Sequence, residues 1–236
     1  MSARCFITGA TFYNGGSMSH LDELFSDSVR LRIREAVEQA EVRTSGEIVP
    51  YVVAASDTYA AAYWLSALLG ALLAPLIALG ASEVLEIWGL PVGVWLITPT
   101  LAGAAFGYLA AWLIPAWRRV LIGDSTLDRR TRRRAAVAFL EEEIFKTRDR
   151  TGVLVFLSLF EHRVVVLGDE GINRAVAPEA WQAIVDRVGR GIGQGRAAEA
   201  LVEAMGDCGR LLEEHKVTIQ DDDTDELSDE LRKRES

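Results

Sequence analysis

Five carboxylate residues lie at the ends of predicted β-strands, where side chains from neighbouring strands can converge. They are Glu47, Asp57, Glu161, Asp169 and Glu170. Calcium takes six to eight oxygen ligands, and Asp and Glu side chains supply such oxygens. These carboxylates therefore predict a site for a hard cation, with calcium as the candidate ion, although no EF-hand loop spacing is present. The alternative interpretation is a set of solvated strand ends.

His162 follows Glu161 at a predicted turn and could act as a general acid or base in phosphoryl transfer. The alternative is an ordinary surface histidine. The sequence contains no G-x-S-x-G, H-E-x-x-H or Walker loop, so no catalytic residue is predicted. The alternating glycines of GRGIGQGR follow a helix rather than a strand, which predicts a link between helices and not a phosphate cradle.

The elements that must position these residues follow from hydrophobic periodicity and capping residues. Helices are predicted from Ser26 or Asp27 to about 43, from Asp124 or Ser125 to about 146, and over 178–188 and 196–214; strands are predicted over 47–53, 153–159 and 164–167. This order predicts an α/β (α+β) sandwich, in which a short mixed sheet is covered by helices. The domain would comprise residues 25–58 and 120–216.

A transmembrane hairpin is predicted over 59–117, inserted after the first strand of this domain. No charged residue occurs from Tyr59 to Ser82 or from Ile87 to Trp117. Each run is long enough to cross a hydrocarbon core of about 30 Å as a helix. The predicted spans are about 60–81 and 90–114, with tryptophans near their ends. Because neither span contains an ionisable residue, no ion or proton pathway is predicted.

Arginines on one side of the hairpin predict its orientation. The turn carries the acids Glu83 and Glu86, and arginine-rich sequence follows the second span. Positive residues stay in the cytoplasm, so we expect both termini and the domain there, in a bacterial inner membrane, with the turn outside. The arginines expected to meet lipid headgroups are Arg118, Arg119, Arg129, Arg130, Arg132, Arg133 and Arg134.

Gly103 and Gly107 lie in the middle of the second span at a spacing that permits close helix approach. Two interpretations remain open. The glycines pack within one hairpin, or they form the interface of a homodimer.

Composition limits the class of protein. The chain has 236 residues and a formal net charge of -9, which argues against a nucleic-acid-binding protein. Residues 1–24 are predicted to be disordered, with Met1 or Met18 as the start residue, and 217–236 form a predicted disordered acidic tail. The two cysteines, Cys5 and Cys208, form no CxxC pair and indicate neither a zinc site nor a disulfide framework.

Three segments outside the hairpin resemble the TPM domain family. They are AVEQAEVRTSGEIVPYVV at 36–53, RTGVLVFLSLFEHRVVVLGDEGI at 150–172, and the two helical stretches at 181–215. The chain looks most similar to bacterial inner-membrane members with the same interrupted arrangement. The resemblance implies a TPM-like fold, and with it either acid phosphatase activity or calcium binding by acids at one sheet end. FSDSVR at the start departs from the photosynthetic members and counts against both properties.

The preferred functional hypothesis is a membrane-anchored cytoplasmic binding or scaffolding module in membrane-protein assembly or quality control, with an unidentified protein partner. The alternatives are a weak metal-assisted phosphatase and a small channel or transporter subunit. No cofactor is required by the first hypothesis.

Overall fold

A computed structural model of the chain describes residues 18–85, 91–215, 217 and 227–234. It is a mixed α+β protein with a four-stranded mixed sheet. The chain divides into two compact units. The sheet and its helices form the α+β unit, and residues 58–127 belong to the hairpin unit. The predicted fold class is confirmed at this level.

Helices and strands follow one another as α1 Met18–Leu24, α2 Asp27–Glu41, β1 Glu47–Val53, α3 Ala60–Leu85, α4 Val92–Leu113, α5 Pro115–Ile122, α6 Asp124–Glu141, β2 Gly152–Ser158, β3 Arg163–Gly168, α7 Glu170–Ala175, α8 Gln182–Gly193, α9 Ala197–Glu214 and β4 Arg232–Arg234. Short 3-10 helices occupy Ile144–Lys146 and Pro178–Trp181. The three predicted strands and the long helices are present, with ends shifted by a few residues.

The sheet has the strand order β3-β2-β1-β4. β1 pairs in parallel with β2, in the register Glu47 to Gly152, and β2 pairs antiparallel with β3. Every residue of β1 and β2 is buried, as the apolar runs of both strands predict for strands covered on two faces.

Helices cover both faces of this sheet. Tyr51, Phe156 and Val165 form the core of one face with Ala135 and Ala138 of α6. The rings of Tyr51 and Phe156 are stacked at 5.6 Å. Helix α9 contacts both α2 and α8; α2 and α9 contact β1, and α8 contacts β3. The domain is therefore a sandwich with helices outside and one sheet inside.

Two predicted disordered regions contain regular structure. Helix α1 covers Met18–Leu24, and Leu21 is fully buried. Strand β4 covers Arg232–Arg234 in the predicted tail. The prediction of disorder is wrong for these residues, because both segments gain order from contacts with distant parts of the chain. The rest of the prediction, for 1–17, 218–226 and 235–236, falls on residues outside those that the structure describes.

The hairpin unit contains two helices that are long and apolar enough to cross a membrane, over Ala60–Ala81 and Gly93–Leu113. Only 11% and 17% of the most apolar 18 residues of each helix are buried, so neither is the core helix of a soluble domain. Large side chains such as Leu76 and Phe106 point outward. These features indicate membrane association.

Candidate functional site

The five predicted carboxylates lie at opposite ends of the sheet. β1 and β2 are parallel, so Asp57 and Glu161 follow the same end of the strand pair. β3 runs the other way and brings Asp169 and Glu170 to the end where β1 begins, at Glu47. Since a seven-residue strand is about 20 Å long, the two groups are too far apart to share one ion.

At the end of the sheet where β1 and β2 finish, Glu161 belongs to a buried polar cluster. Its carboxylate accepts hydrogen bonds from the Ser56 backbone N–H at 2.7 Å and from the Ser158 hydroxyl. The hydroxyls of Ser56 and Ser158 are 2.9 Å apart. Asp57 is not part of this cluster but forms an ion pair with Arg130 at 3.0 Å. Glu161 thus joins the loops that follow β1 and β2.

His162 lies in the tight turn between β2 and β3, with a positive φ of 53°. It is buried, with 6% of its surface exposed. A positive φ is uncommon for a residue other than glycine, although histidine is among the types that adopt it more often. The interpretation as a surface histidine is therefore wrong, because the side chain is buried at the turn.

At the opposite end, Asp169 and Glu170 hold the start of helix α7. Asp169 accepts a hydrogen bond from the Glu170 backbone N–H at 2.8 Å, and its carboxylate pairs with Arg150 at 2.8 Å. The Glu170 carboxylate pairs with Arg174, which lowers the pKa of Glu170 below its ordinary value. Glu47 accepts a hydrogen bond from the Leu227 backbone N–H at 3.4 Å.

No group of three or more His, Cys, Asp or Glu side chains with the geometry of a metal site occurs among the described residues. Among the described residues, neither sheet end brings together three or more such side chains as a donor set for calcium. The signal was in the sequence, because the predicted β2–β3 hairpin already places Glu161 and Asp169 at opposite ends.

Of the arginines expected to meet lipid headgroups, the two after the second span lie in α5. Arg118 is buried at 6% exposure, and its guanidinium donates to the Tyr63 hydroxyl at 2.6 Å and lies 5.1 Å from the ring centroid. Arg118 therefore acts within the hairpin unit, where it joins α5 to α3. Arg119 is half-buried in the last turn of α5.

The other five arginines lie on α6, and three of them have partners within the protein. Arg130 pairs with Asp57, Arg132 pairs with Asp128 at 3.0 Å, and Arg134 donates to the Tyr51 hydroxyl at 3.1 Å. The remaining two are Arg129 and Arg133. They are one turn apart and exposed, and neither forms an ion pair within the described part of the chain. These two remain the candidates for a headgroup contact.

The glycines of the second span contact the first span. A Cβ atom on Gly103 would lie 2.2 Å from the carbonyl oxygen of Gly70, and one on Gly107 would lie 2.2 Å from that of Ser66. Such close backbone approach is the known role of small residues in membrane helices. Gly103 and Gly107 are thus used within one hairpin, which removes the reason to assign them to a homodimer.

Polar side chains join all three helices of the hairpin unit. The Ser66 hydroxyl donates to the Gly107 carbonyl at 2.6 Å and accepts from the Trp117 indole N–H at 2.8 Å. Together with the contact of Arg118 with Tyr63, this fixes α5 against the start of α3 and the end of α4.

The outer edge of β1 is available to another strand over part of its length. The Glu47 N–H donates to the Thr151 carbonyl on the β2 side. The backbone N–H groups of even-numbered residues therefore point away from β2, toward the outer edge of the sheet. The outward N–H of Ile48 already donates to the Glu41 carboxylate at 2.7 Å. Pro50 has no N–H, and proline is usually confined to such edges. Strand pairing is therefore left to the second half of β1.

The segment 227–234 occupies that half. Its residues Arg232–Arg234 form β4 and pair in parallel with Tyr51–Val53. The Ala54 N–H continues the ladder by donating to the Arg234 carbonyl at 3.2 Å. Sequence reasoning missed this contact, because three consecutive basic residues carry no strand periodicity.

A concavity of about 490 Å³ lies between α6 and the end of β3, lined mainly by the apolar side chains of Phe139, Leu140 and Leu167. Nothing among the described residues fills it.

Comparisons with known proteins bear on the fold. No family model matches the chain, and no curated protein matches it. Among solved structures, the chain is similar to the NMR structure of the BA42 protein from the psychrophilic bacterium Bizionia argentinensis, with a TM-score of 0.55 and 18% sequence identity. The match covers 92% of this chain and 100% of that one. At this identity the likeness shows a shared fold.

Proposed function

We propose that this chain is a membrane-anchored cytoplasmic binding or scaffolding module with a TPM-like domain, which acts in membrane-protein assembly or quality control. One observation carries the proposal: the outer edge of β1 holds an extended segment, 227–234, by main-chain pairing and ion pairs. Addition of a strand to a sheet edge is a recurrent mode of peptide recognition. The three sequence segments that resemble TPM domains support the classification.

The state of the carboxylates supports binding over catalysis. Asp57, Asp169 and Glu170 each pair with an arginine, and Glu161 accepts two hydrogen bonds from serines. A carboxylate that already pairs with an arginine attracts a second cation less strongly, so these ion pairs disfavour metal ligation at Asp57, Asp169 and Glu170.

The membrane arrangement is also part of the proposal. Both ends of the hairpin would be cytoplasmic, since the acids lie in the turn and the arginines follow the second span. The exposed Arg129 and Arg133 would meet anionic headgroups, with about 1 kcal/mol gained by each. The absence of ionisable residues from the spans disfavours a channel or transporter.

Site-specific photocrosslinking tests the binding function. A photoreactive amino acid replaces Leu31, which is 56% exposed beside the edge segment, or Val42, which is 75% exposed after the end of α2 and serves as the matched control. In native membranes we expect a discrete crosslinked product from position 31 and none from position 42. The proposal fails if neither position yields a product.

The phosphatase hypothesis makes a different prediction. Under the binding hypothesis, titration with calcium or magnesium leaves the Tm of the purified chain unchanged. A rise in Tm that Asp169→Asn and Glu161→Gln abolish, together with phosphate release from a generic ester, would replace the binding function with an enzymatic one.

Cysteine labelling tests the orientation. Burial raises the pKa of the Cys208 thiol, and the side chain is fully buried, so its failure to react would not report the side of the membrane. The exposed Glu213 is the better cytoplasmic position. We expect an impermeant maleimide to label Ser82→Cys in intact cells and Glu213→Cys only after lysis. The reverse pattern would invert the proposed topology.

A further inference from the structure

The segment 227–234 is attached to the domain at two leucines. Leu227 is partly buried against the core that contains Tyr51 and Phe156. Leu231 is buried, with 9% of its surface exposed. Each leucine removes apolar surface from water, which stabilises the attached segment. Strand β4 begins directly after the second leucine.

The three basic residues after Leu231 reach acids on two sides. Arg232 pairs with Glu142 at 3.2 Å, and Arg234 pairs with Glu141 at 3.1 Å, both at the end of α6. Lys233 points to the other side and pairs with Asp22 of α1. Alternation of side chains along a strand explains this division. The edge therefore presents carboxylates above and below the bound strand.

The residues before Leu231 have the opposite charge and face α2. Arg30 and Arg34 of α2 line one cleft with Glu230. Asp229 and Glu230 also contribute to the raised pKa of Arg34, whose chief cause is its hydrogen bond to Glu38. The binding surface thus distinguishes the two halves of the segment: basic side chains of α2 face its acids, and the acids of α1 and α6 face its bases. The charge order fixes the direction of the bound strand.

The segment is held by a short stretch of structure. Its ladder with β1 includes three residue pairs. A cleft of about 260 Å³ remains between α2 and Glu230–Leu231. Short edge strands with solvent-exposed hydrogen bonds open at low free energy compared with a sheet core. The edge of β1 can therefore exchange its occupant while β1–β3 remain folded.

From these contacts we infer that the outer edge of β1, with Glu141, Glu142 and Asp22, is a docking site for an extended segment of a partner protein. In that segment a leucine precedes consecutive basic residues, whose side chains point alternately to the two faces of the sheet. The inference rests on the proposed binding function. The chain's own segment 227–234 occupies the same site in cis and competes with the partner.

A partner segment is a better occupant than the identical segment of a second copy. Tethering gives a segment of the same chain a high effective local concentration, on the order of millimolar for a short tether. The same residues from another copy gain no contact that would offset this advantage. A partner with additional side chains that fill the cleft beside α2 does gain such contacts.

Peptide binding to the full chain in lipid nanodiscs tests the inference. The probe is a fluorescent peptide with the sequence of residues 227–236, LSDELRKRES. Its affinity is measured by anisotropy for the unaltered chain, for a chain ending at Glu226, and for a full-length chain with Arg232→Gln, Lys233→Gln and Arg234→Gln. The second and third proteins open the site by independent routes, and circular dichroism verifies that both are folded.

We expect each opened protein to bind the peptide at least tenfold more tightly than the unaltered chain does. Glu141→Gln with Glu142→Gln in the opened chain should reduce this affinity at least tenfold, and added salt should weaken it because the contacts are ionic. The matched control is Glu213→Gln with Glu214→Gln, an exposed pair at the end of α9, which should bind as before.

Three results would overturn the inference: equal binding by closed and opened chains, equal binding of a scrambled peptide, or a dimer of the unaltered chain that disappears on truncation at Glu226. The last result would assign the site to a second copy. A crosslinked product from position 31 with no peptide binding would refute the inference alone, whereas failure of both experiments would also refute the proposed function.

Discussion

The two units of this chain place the same apolar residue types in opposite positions: inside the α+β unit, and on the outside of the hairpin unit. In the α+β unit, large side chains such as Phe156 are fully buried, and arginines and carboxylates form pairs at the surface. In the hairpin unit, Phe106 is 74% exposed, and glycines form the contact between α3 and α4. Apolar side chains gain free energy by leaving water but nothing comparable by leaving lipid. Burial therefore indicates the core in one unit, and close backbone contact indicates it in the other.

The largest expected effect comes from the same substitution in both units. Phe156→Ala should lower the free energy of unfolding of the α+β unit by about 3–5 kcal/mol, because it removes a buried ring and leaves a cavity. Phe106→Ala should change stability by less than about 0.5 kcal/mol. Denaturant unfolding in nanodiscs, followed by hydrogen exchange of the β2 amides, measures both. Equal losses would contradict the distinction between the units.

Substitution of glycine reverses the pattern. Gly107→Val places its Cβ against the Ser66 carbonyl and should destabilise the helix pair by about 1–3 kcal/mol, as overpacking does elsewhere. Gly80→Val is the control, since no atom lies within 4 Å of a Cβ at that position. The detergent fraction at which helicity is lost gives the comparison. A shift of the same size for both variants would show that the close approach contributes nothing.

The polar contact inside the hairpin should have a measurable coupling energy. Arg118→Gln and Tyr63→Phe each remove part of one contact, a hydrogen bond of 2.6 Å and a cation over a ring. Because Tyr63→Phe retains the ring, a double-mutant cycle reports mainly the hydrogen bond, and the coupling should be about 0.5–2 kcal/mol. Additive effects would mean that Arg118 stabilises the unit by some other contact.

The smallest effect concerns a single proton on the α+β unit. The hydrogen bond from Lys233 lowers the pKa of Asp22, so this ion pair stabilises the attached segment above the ordinary pKa, and the contribution is lost as pH falls through the lowered value. With Lys233→Gln, the pKa of Asp22 should rise toward its usual value. Carboxyl chemical shifts measured against pH would show this, with Glu170, whose partner is Arg174, unchanged.

Sequence patterns predicted the elements better than their assembly. The five consecutive apolar residues of β2 and the two uncharged runs carry strong local signals, and both appear as predicted. The positions of the carboxylates depend on strand direction, which is a property of pairs of strands. The partners of Arg130 and Arg134 lie far away in sequence, so a run of arginines could not show which members face solvent. Strand β4 has no apolar period, and its order derives from the acids at the ends of α1 and α6.

The parallel pairing of β1 with β2 sets an order of events during synthesis. β1 ends at Val53 and β2 begins at Gly152, so at about 5–20 residues per second the ribosome needs about 5–20 s to supply the partner. In the proposed membrane topology, the hairpin enters the membrane during that interval while an apolar strand remains unpaired. Such a strand is an aggregation hazard, and a proline is one of the residues that blunt it. Pro50, at the centre of β1, thus has a second consequence: it hinders nascent chains on one polysome from pairing with one another before each has made its own sheet.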